Sequence, residues 1–191
     1  MQAVVLATHN NGKAREFARL LEPAGIQIKT LADCGIAEVP EETGTTFLEN
    51  ARIKAQAAMK ATGLPSLADD SGLCVDALDG APGVWSAVYG GLTDPAEQIA
   101  LLLRQMEGKA GRRAAFVCQL VLLYPDGREV LAEGRCEGEI LPTPRGDGGF
   151  GYDPIFLLPE KGLSMAELPP EEKNTVSHRG IALRKLLEGL T

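Results

Sequence analysis

The sequence predicts an α/β fold: a single domain over residues 1–191, built on a mixed β-sheet flanked by helices. Two observations carry this. Short apolar runs alternate with helical periodicity in the first half, as βαβ units require. Later, Pro125-Asp126-Gly127 separates two β-like runs, as an antiparallel hairpin requires. With 191 residues, 45% apolar and 24% charged, the chain has the length and composition for one sizeable core.

The elements follow in order. Ala3–Ala7 is a short buried strand, and Thr8-His9-Asn10-Asn11-Gly12 is the polar turn after it. A helix starts at Lys13 with Ala14, Phe17, Ala18 and Leu21 on one face, and Pro23 and Gly25 stop it. Ile26–Leu31 is a second strand, and the acidic loop Glu38–Thr45 follows. Thr46 and Glu49 have capping-box spacing and open a helix that runs to about Gly63, with Phe47, Leu48, Ala51, Ala55, Ala58 and Met59 as its apolar face. Pro65–Ala68 leads as a strand into Asp69-Asp70-Ser71-Gly72, where the strand is expected to end. Pro95–Met106 is an amphipathic helix. Phe116–Tyr124 and Arg128–Glu133 form the hairpin. Leu141–Gly151 is a Pro/Gly loop, Ile155–Leu158 a strand and Glu171–Leu190 one final helix.

Composition excludes several function classes. A net charge of −7 argues against a nucleic-acid surface, which needs the opposite balance. Cys34, Cys74, Cys118 and Cys136 form no CxxC and have only His9 and His178 beside them, so a structural zinc site is not expected. No run reaches the length of a membrane span, and the N-terminus lacks the basic and long apolar regions of a signal peptide. The expected compartment is the cytoplasm, with no membrane partner.

Five segments carry possible chemistry. Thr8–Lys13 joins a strand to a helix, where outward N–H groups favour anions and Lys13 adds a charge for phosphate; the alternative is an Asn-rich cap. Asp69 and Asp70 suit Mg²⁺, which takes one or two carboxylates together with substrate phosphates, and one of them can act as a base for water; the alternative is a solvated turn. Glu38, Glu41 and Glu42 offer a further carboxylate. Gly146 to Gly151 formally matches GxGxxG, but flanking prolines and a following strand rule out a dinucleotide fold. Phe150 and Tyr152 in that loop suit base stacking, or docking on the core. Lys173, His178 and Arg179 form a local cationic cluster, able to read a purine oxygen or hold phosphate, or to stand as a solvated helix start.

Six ordered stretches together resemble one family: Leu6–Glu16, Glu41–Ala51, Ala68–Leu73, Gly80–Val84, Gly148–Phe156, and Glu172–Asn174 with Ser177–Arg179. The chain is identified by them as similar to the inosine triphosphate pyrophosphatases, the Ham1-like non-canonical purine NTP pyrophosphatases. The resemblance implies hydrolysis of ITP, dITP and XTP to monophosphate and pyrophosphate, Mg²⁺ as cofactor, an elongated two-lobed fold around a long mixed sheet, and a homodimer. It implies that Thr8, His9, Asn10, Asn11, Gly12 and Lys13 hold the triphosphate. Glu42 and Asp70 would hold the metal with Asp69 beside them, and Asp70 would accept a proton. Ser71, Phe150, Gly151, Tyr152, Asp153, Lys173, His178 and Arg179 would line the substrate site, Phe150 stacking on the base. Trp85 stands where the family commonly has Tyr, and Val88 where it commonly has Arg. Two rival readings are a pyrophosphatase for other nucleotides and a nucleotide sensor without catalysis.

Overall fold

The structure is a computed structural model that describes residues 3–38 and 40–190. Val39, in the acidic loop, lies outside them. Among the described residues, seven strands form one mixed sheet in the order β2-β1-β3-β4-β5-β6-β7. They are β1 (Val4–Leu6), β2 (Ile28–Thr30), β3 (Ser66–Val75), β4 (Arg113–Leu123), β5 (Glu129–Ile140), β6 (Phe156–Leu158) and β7 (Leu163–Ser164). The first strand is parallel to β2 and β3; β6 is antiparallel to β5 and β7. Five α-helices among the described residues accompany them: α1 (Asn11–Leu21), α2 (Phe47–Thr62), α3 (Pro95–Gln105), α4 (Pro170–Val176) and α5 (His178–Glu188). The α/β expectation with a mixed, helix-flanked sheet therefore holds.

Two compact units divide the chain. Unit 1 contains Met1–Asp70, Cys118–Gly134 and Arg179–Thr191; unit 2 contains Ser71–Val117 and Arg135–His178. Unit 1 buries two apolar layers that follow the two-residue alternation of its strands. Val4, Leu6, Leu67, Leu120 and Leu122 pack with Phe17 and Leu21 of α1 and Leu183 and Leu186 of α5. The alternate residues Val5, Ala7, Ala68, Val121 and Leu123 pack with Ala51, Ala55 and Ala58 of α2. Unit 2 has its own core, with Leu73, Leu102, Met106, Phe116, Tyr152, Phe156 and Met165 among its members.

Three elements differ from the sequence expectation. β3 does not end at Asp69 but continues to Val75, so the Asp-Asp-Ser-Gly stretch is interior strand and not a turn. β5 continues to Ile140: Ala132, Gly134, Cys136, Gly138 and Ile140 are buried and the residues between Leu131 and Glu139 that alternate with them are exposed. That is strict strand alternation, hidden because two of its inward positions are glycines, which in sequence suggest a break. The final helix is two helices, because Ser177 between them is extended (φ −69°, ψ 153°).

Candidate active site

In unit 1 the chemistry is organised by β3. Asp69 and Asp70 are consecutive strand residues, so their side chains leave opposite faces of the sheet. Asp69 shares its face with Leu67, toward α1 and α5; Asp70 shares its face with Ala68, toward α2. Both are buried, at 1% and 5% exposure. The cost of burying adjacent carboxylates is met by giving each its own cations.

On the first face, Asp69 Oδ2 lies 2.9 Å from Lys13 Nζ and 3.6 Å from Arg179 Nε. Arg179, at the start of α5, also donates to Glu16 of α1. Burial opposes the guanidinium charge, but Asp69 and Glu16 overcome it and hold Arg179 firmly protonated. Asn10 caps α1: its Oδ1 accepts from the Lys13 N–H at 3.1 Å, and its own N–H donates to Thr8 Oγ1 at 3.1 Å. Asn10 thus has the capping role for its side chain. His9, Asn10 and Asn11 are exposed, and Thr8, Gly12 and Lys13 half-buried.

On the second face, Lys54 of α2 joins two carboxylates. Its Nζ lies 2.7 Å from Glu42 Oε1 and 3.6 Å from Asp70 Oδ1. Asn50, one turn earlier on α2, donates from Nδ2 to Asp70 Oδ2 at 3.2 Å. Burial pushes the Asp70 carboxyl above the usual aspartate range; Lys54 and Asn50 oppose the push and Glu42 adds to it. Burial works against the Lys54 charge, yet Asp69, Asp70 and Glu42 together raise it above the ordinary lysine value. Together they describe one arrangement, a lysine held charged beside an Asp70 carboxyl that burial makes reluctant to ionise.

An all-oxygen pair neutralised by one lysine fits a hard divalent cation such as Mg²⁺. Among the described residues no group of three or more His, Cys, Asp or Glu is arranged to enclose a metal. Two carboxylates completed by substrate oxygens match the habit of Mg²⁺, which keeps water and phosphate ligands.

Unit 2 carries the remaining candidates. Asp153 Oδ2 accepts from the Phe150 N–H at 2.9 Å and from Lys173 Nζ at 2.7 Å. Lys173 Nζ also lies 4.8 Å from the centre of the Phe150 ring. Gly149 precedes Phe150 at φ +71°, and a Cβ there would lie 2.1 Å from Asp153 Oδ2, so this turn requires glycine. The two loop aromatics have separate fates. Tyr152 docks in the core and its hydroxyl donates to the Ser86 carbonyl at 2.9 Å, burial raising its pKa, whereas Phe150 stays half-buried beside Gly151. Ser71 is half-buried on β3.

Lys173, His178 and Arg179, expected as a local cationic cluster, divide between the two units. Lys173 pairs with Asp153, the His178 ring stacks on Phe116 with centroids 4.8 Å apart, and Arg179 joins Asp69 and Glu16. The break at Ser177 and the adjacency of 178 and 179 send the three side chains to different partners.

Four residues had no role assigned from sequence: Lys54, Asn50, Glu16 and Ser86. Asn50 and Lys54 stand at i, i+4 within the same buried stripe as Ala51, Ala55 and Ala58. A polar pair inside an alanine stripe was the available signal. Glu16 is buried beside Phe17 and follows Lys13 by one turn. Nothing in the sequence marks Ser86.

Residues 4–189 match the model of the Ham1 family. A dITP/XTP pyrophosphatase of Thermus thermophilus is 56% identical over 187 residues, covering 97% of this chain and 90% of that protein. One from Geobacillus kaustophilus is 51% identical, covering 98% and 94%. The solved structure of a HAM1 protein from Coxiella burnetii superposes with a TM-score of 0.91 at 44% identity, covering 100% of this chain and 98% of that one. The chain belongs to the Ham1 family.

Proposed function

We propose that this chain hydrolyses non-canonical purine nucleoside triphosphates, namely ITP, dITP and XTP, to the monophosphate and pyrophosphate. The observation that carries the chemistry is the Glu42–Lys54–Asp70 arrangement, in which two carboxylates are gathered on one ammonium. The curated relatives support the substrate class, since they are named dITP/XTP pyrophosphatases.

Glu42 and Asp70 would hold Mg²⁺; Asp69, expected beside them, leaves the opposite face of β3 and ties Lys13 to Arg179 instead. When bound, Mg²⁺ neutralises charge on phosphate oxygens and on the departing pyrophosphate. Asp70 orients a water and accepts its proton as the water oxygen bonds to the α-phosphorus. The bond from that phosphorus to the bridging oxygen breaks, and pyrophosphate leaves with the electron pair. Lys13 and the first-turn N–H groups of α1 receive triphosphate oxygens, with Thr8, His9, Asn10, Asn11 and Gly12 forming the turn.

Unit 2 holds the other groups. The Phe150 ring stacks on the purine, held by Asp153 and Lys173. Ser71, Gly151 and Tyr152 line the substrate site with it. Lys173 and His178 here, like Arg179 of unit 1, are donor-rich, which matches a 6-oxo purine and leaves adenine's amino group facing donors. The protein acts in the cytoplasm as a homodimer; Trp85 at 62% and Val88 at 45% exposure offer an apolar surface for a second copy.

The test is pyrophosphate release from ITP, dITP, XTP, ATP and GTP with and without Mg²⁺. The expected result is at least about 100-fold preference for the 6-oxo, non-canonical bases over ATP. Comparable rates on ATP and GTP would reject the substrate assignment. In ¹⁸O-water the label belongs in the monophosphate; label in pyrophosphate would reject attack at the α-phosphorus.

A further inference from the structure

We infer that Asn50 is a positioning residue whose amide locks the Asp70 carboxylate and the Glu42 loop into one frame. The inference rests on the reading of Asp70 as base and cation ligand, and it names the group that orients it.

Asn50 lies in α2 and is 2% exposed. The Gly44 N–H donates to Asn50 Oδ1 at 2.8 Å. A backbone N–H can only donate, so this contact decides which end of the amide is oxygen. The other end must then be the NH₂ group, and it faces Asp70 Oδ2 at 3.2 Å. The amide is therefore committed at both ends, one to the acidic loop and one to β3.

Gly44 makes the close approach possible. A Cβ there would lie 2.6 Å from Asn50 Oδ1 and 2.7 Å from Glu49 Cβ. Glu42 stands two residues before Gly44 and meets Lys54, which stands four residues after Asn50. The contacts close a ring: Glu42 to Lys54, Lys54 to Asp70, Asp70 to Asn50, and Asn50 back to the loop at Gly44.

The two α2 side chains do different things within the ring. Lys54 supplies charge from a long stem with a rotatable ammonium, which attracts carboxylates without fixing their planes. Asn50 supplies a planar, short-stemmed donor that fixes one oxygen of Asp70 and leaves Oδ1 on the Lys54 and Glu42 side. Catalytic groups need their geometry held within a fraction of an ångström by such support. Asn50 touches neither water nor phosphate in this scheme; it acts through Asp70 and through the loop.

The test uses the full chain with three substitutions beside Asp70→Asn. Asn50→Ala removes both contacts. Asn50→Asp keeps an acceptor for Gly44 but replaces the donor facing Asp70. Gly44→Ala leaves every functional side chain in place and displaces the Asn50 oxygen. Each is measured for folding, for kcat and KM on ITP at saturating Mg²⁺, and the two alanine variants also for Mn²⁺ binding by electron paramagnetic resonance without nucleotide. All three should lose about 100-fold in kcat with KM within about threefold of wild type, the cost of roughly an ångström of misplacement at a reacting group. The alanine variants should bind Mn²⁺ about tenfold more weakly, the usual loss when a group orienting a metal ligand is removed. A fall in melting temperature alone, with kcat retained in folded variants while Asp70→Asn is inactive, overturns the inference. Full turnover by Asp70→Asn removes Asp70 itself from the chemistry and this inference with it.

Discussion

Asp70 is a carboxylate placed where ionisation is unfavourable and then surrounded by groups that partly restore it. Burial raises its pKa in the folded chain, with Lys54 and Asn50 opposing. An acid with a raised folded pKa contributes stability below its unfolded pKa and loses it as pH rises through the folded value. In the metal-free protein, ionised Asp70 therefore works against folding at neutral pH. Asp70→Asn is expected to melt no lower than wild type at pH 7, with the difference shrinking as pH is lowered toward the ordinary aspartate range. The same variant should lose at least about 100-fold in turnover, the usual worth of a general base. Mg²⁺ should raise the melting temperature of wild type and not of Asp70→Asn. Differential scanning calorimetry across pH checks both, and a large destabilisation of the metal-free variant would show that Asp70 is held as a structural ion pair. Lys54 has the opposite character. Removing it leaves Asp70 without its cation, and Lys54→Met should cost about 3 kcal/mol in urea unfolding, the low end for a broken buried pair because Glu42 is half-exposed.

At the scale of elements, β3 and α2 make the site. β3 splits an adjacent acidic pair between two faces, and α2 presents Asn50 and Lys54 one turn apart to only one of them. The start of α2 is fixed by a complete capping box, Thr46 accepting from the Glu49 N–H and Glu49 from the Thr46 N–H. Glu49 also accepts from the Thr45 N–H and hydroxyl, which ties the acidic loop to the helix. Thr46→Ala should lower stability by about 1 kcal/mol in urea unfolding, the typical worth of such a cap; no change would mean the loop holds the helix start without it. The capping box was legible from Thr46 and Glu49 spacing alone, since capping is a contact within four residues. The site role of Asn50 and Lys54 was not, because it depends on a strand well separated from them along the chain.

At the scale of the molecule, the charge of −7 coexists with a polyanionic substrate because the cations are local. Lys13, Lys54 and Arg179 in unit 1 and Lys173 in unit 2 are each paired with carboxylates, so a net negative charge does not prevent phosphate binding. No helix among the described residues is long and apolar enough to cross a membrane. The proposed dimer predicts a sedimenting mass about twice the 20.3 kDa chain at micromolar concentration, the range where a stable homodimer persists. A monomer at that concentration would remove Trp85 and Val88 as a dimer surface.

The sequence by itself determined the α/β class, the order of most elements, the hairpin, the cap of α2 and six family motifs, all of which depend on neighbours along the chain. It could not determine the extent of β5, whose inward glycines look like breaks until the sheet pairs them. The family resemblance already gave Asp70 the metal and the proton, but it could not show that Asp69 and Asp70 face different partners. In sequence they are one acidic pair; in the fold the two-residue period of a strand turns them to opposite faces, giving Asp69 to Lys13 and Arg179 and Asp70 to Lys54 and Asn50. Local spacing states which groups are present, and only packing on both sides of the sheet decides what each one meets.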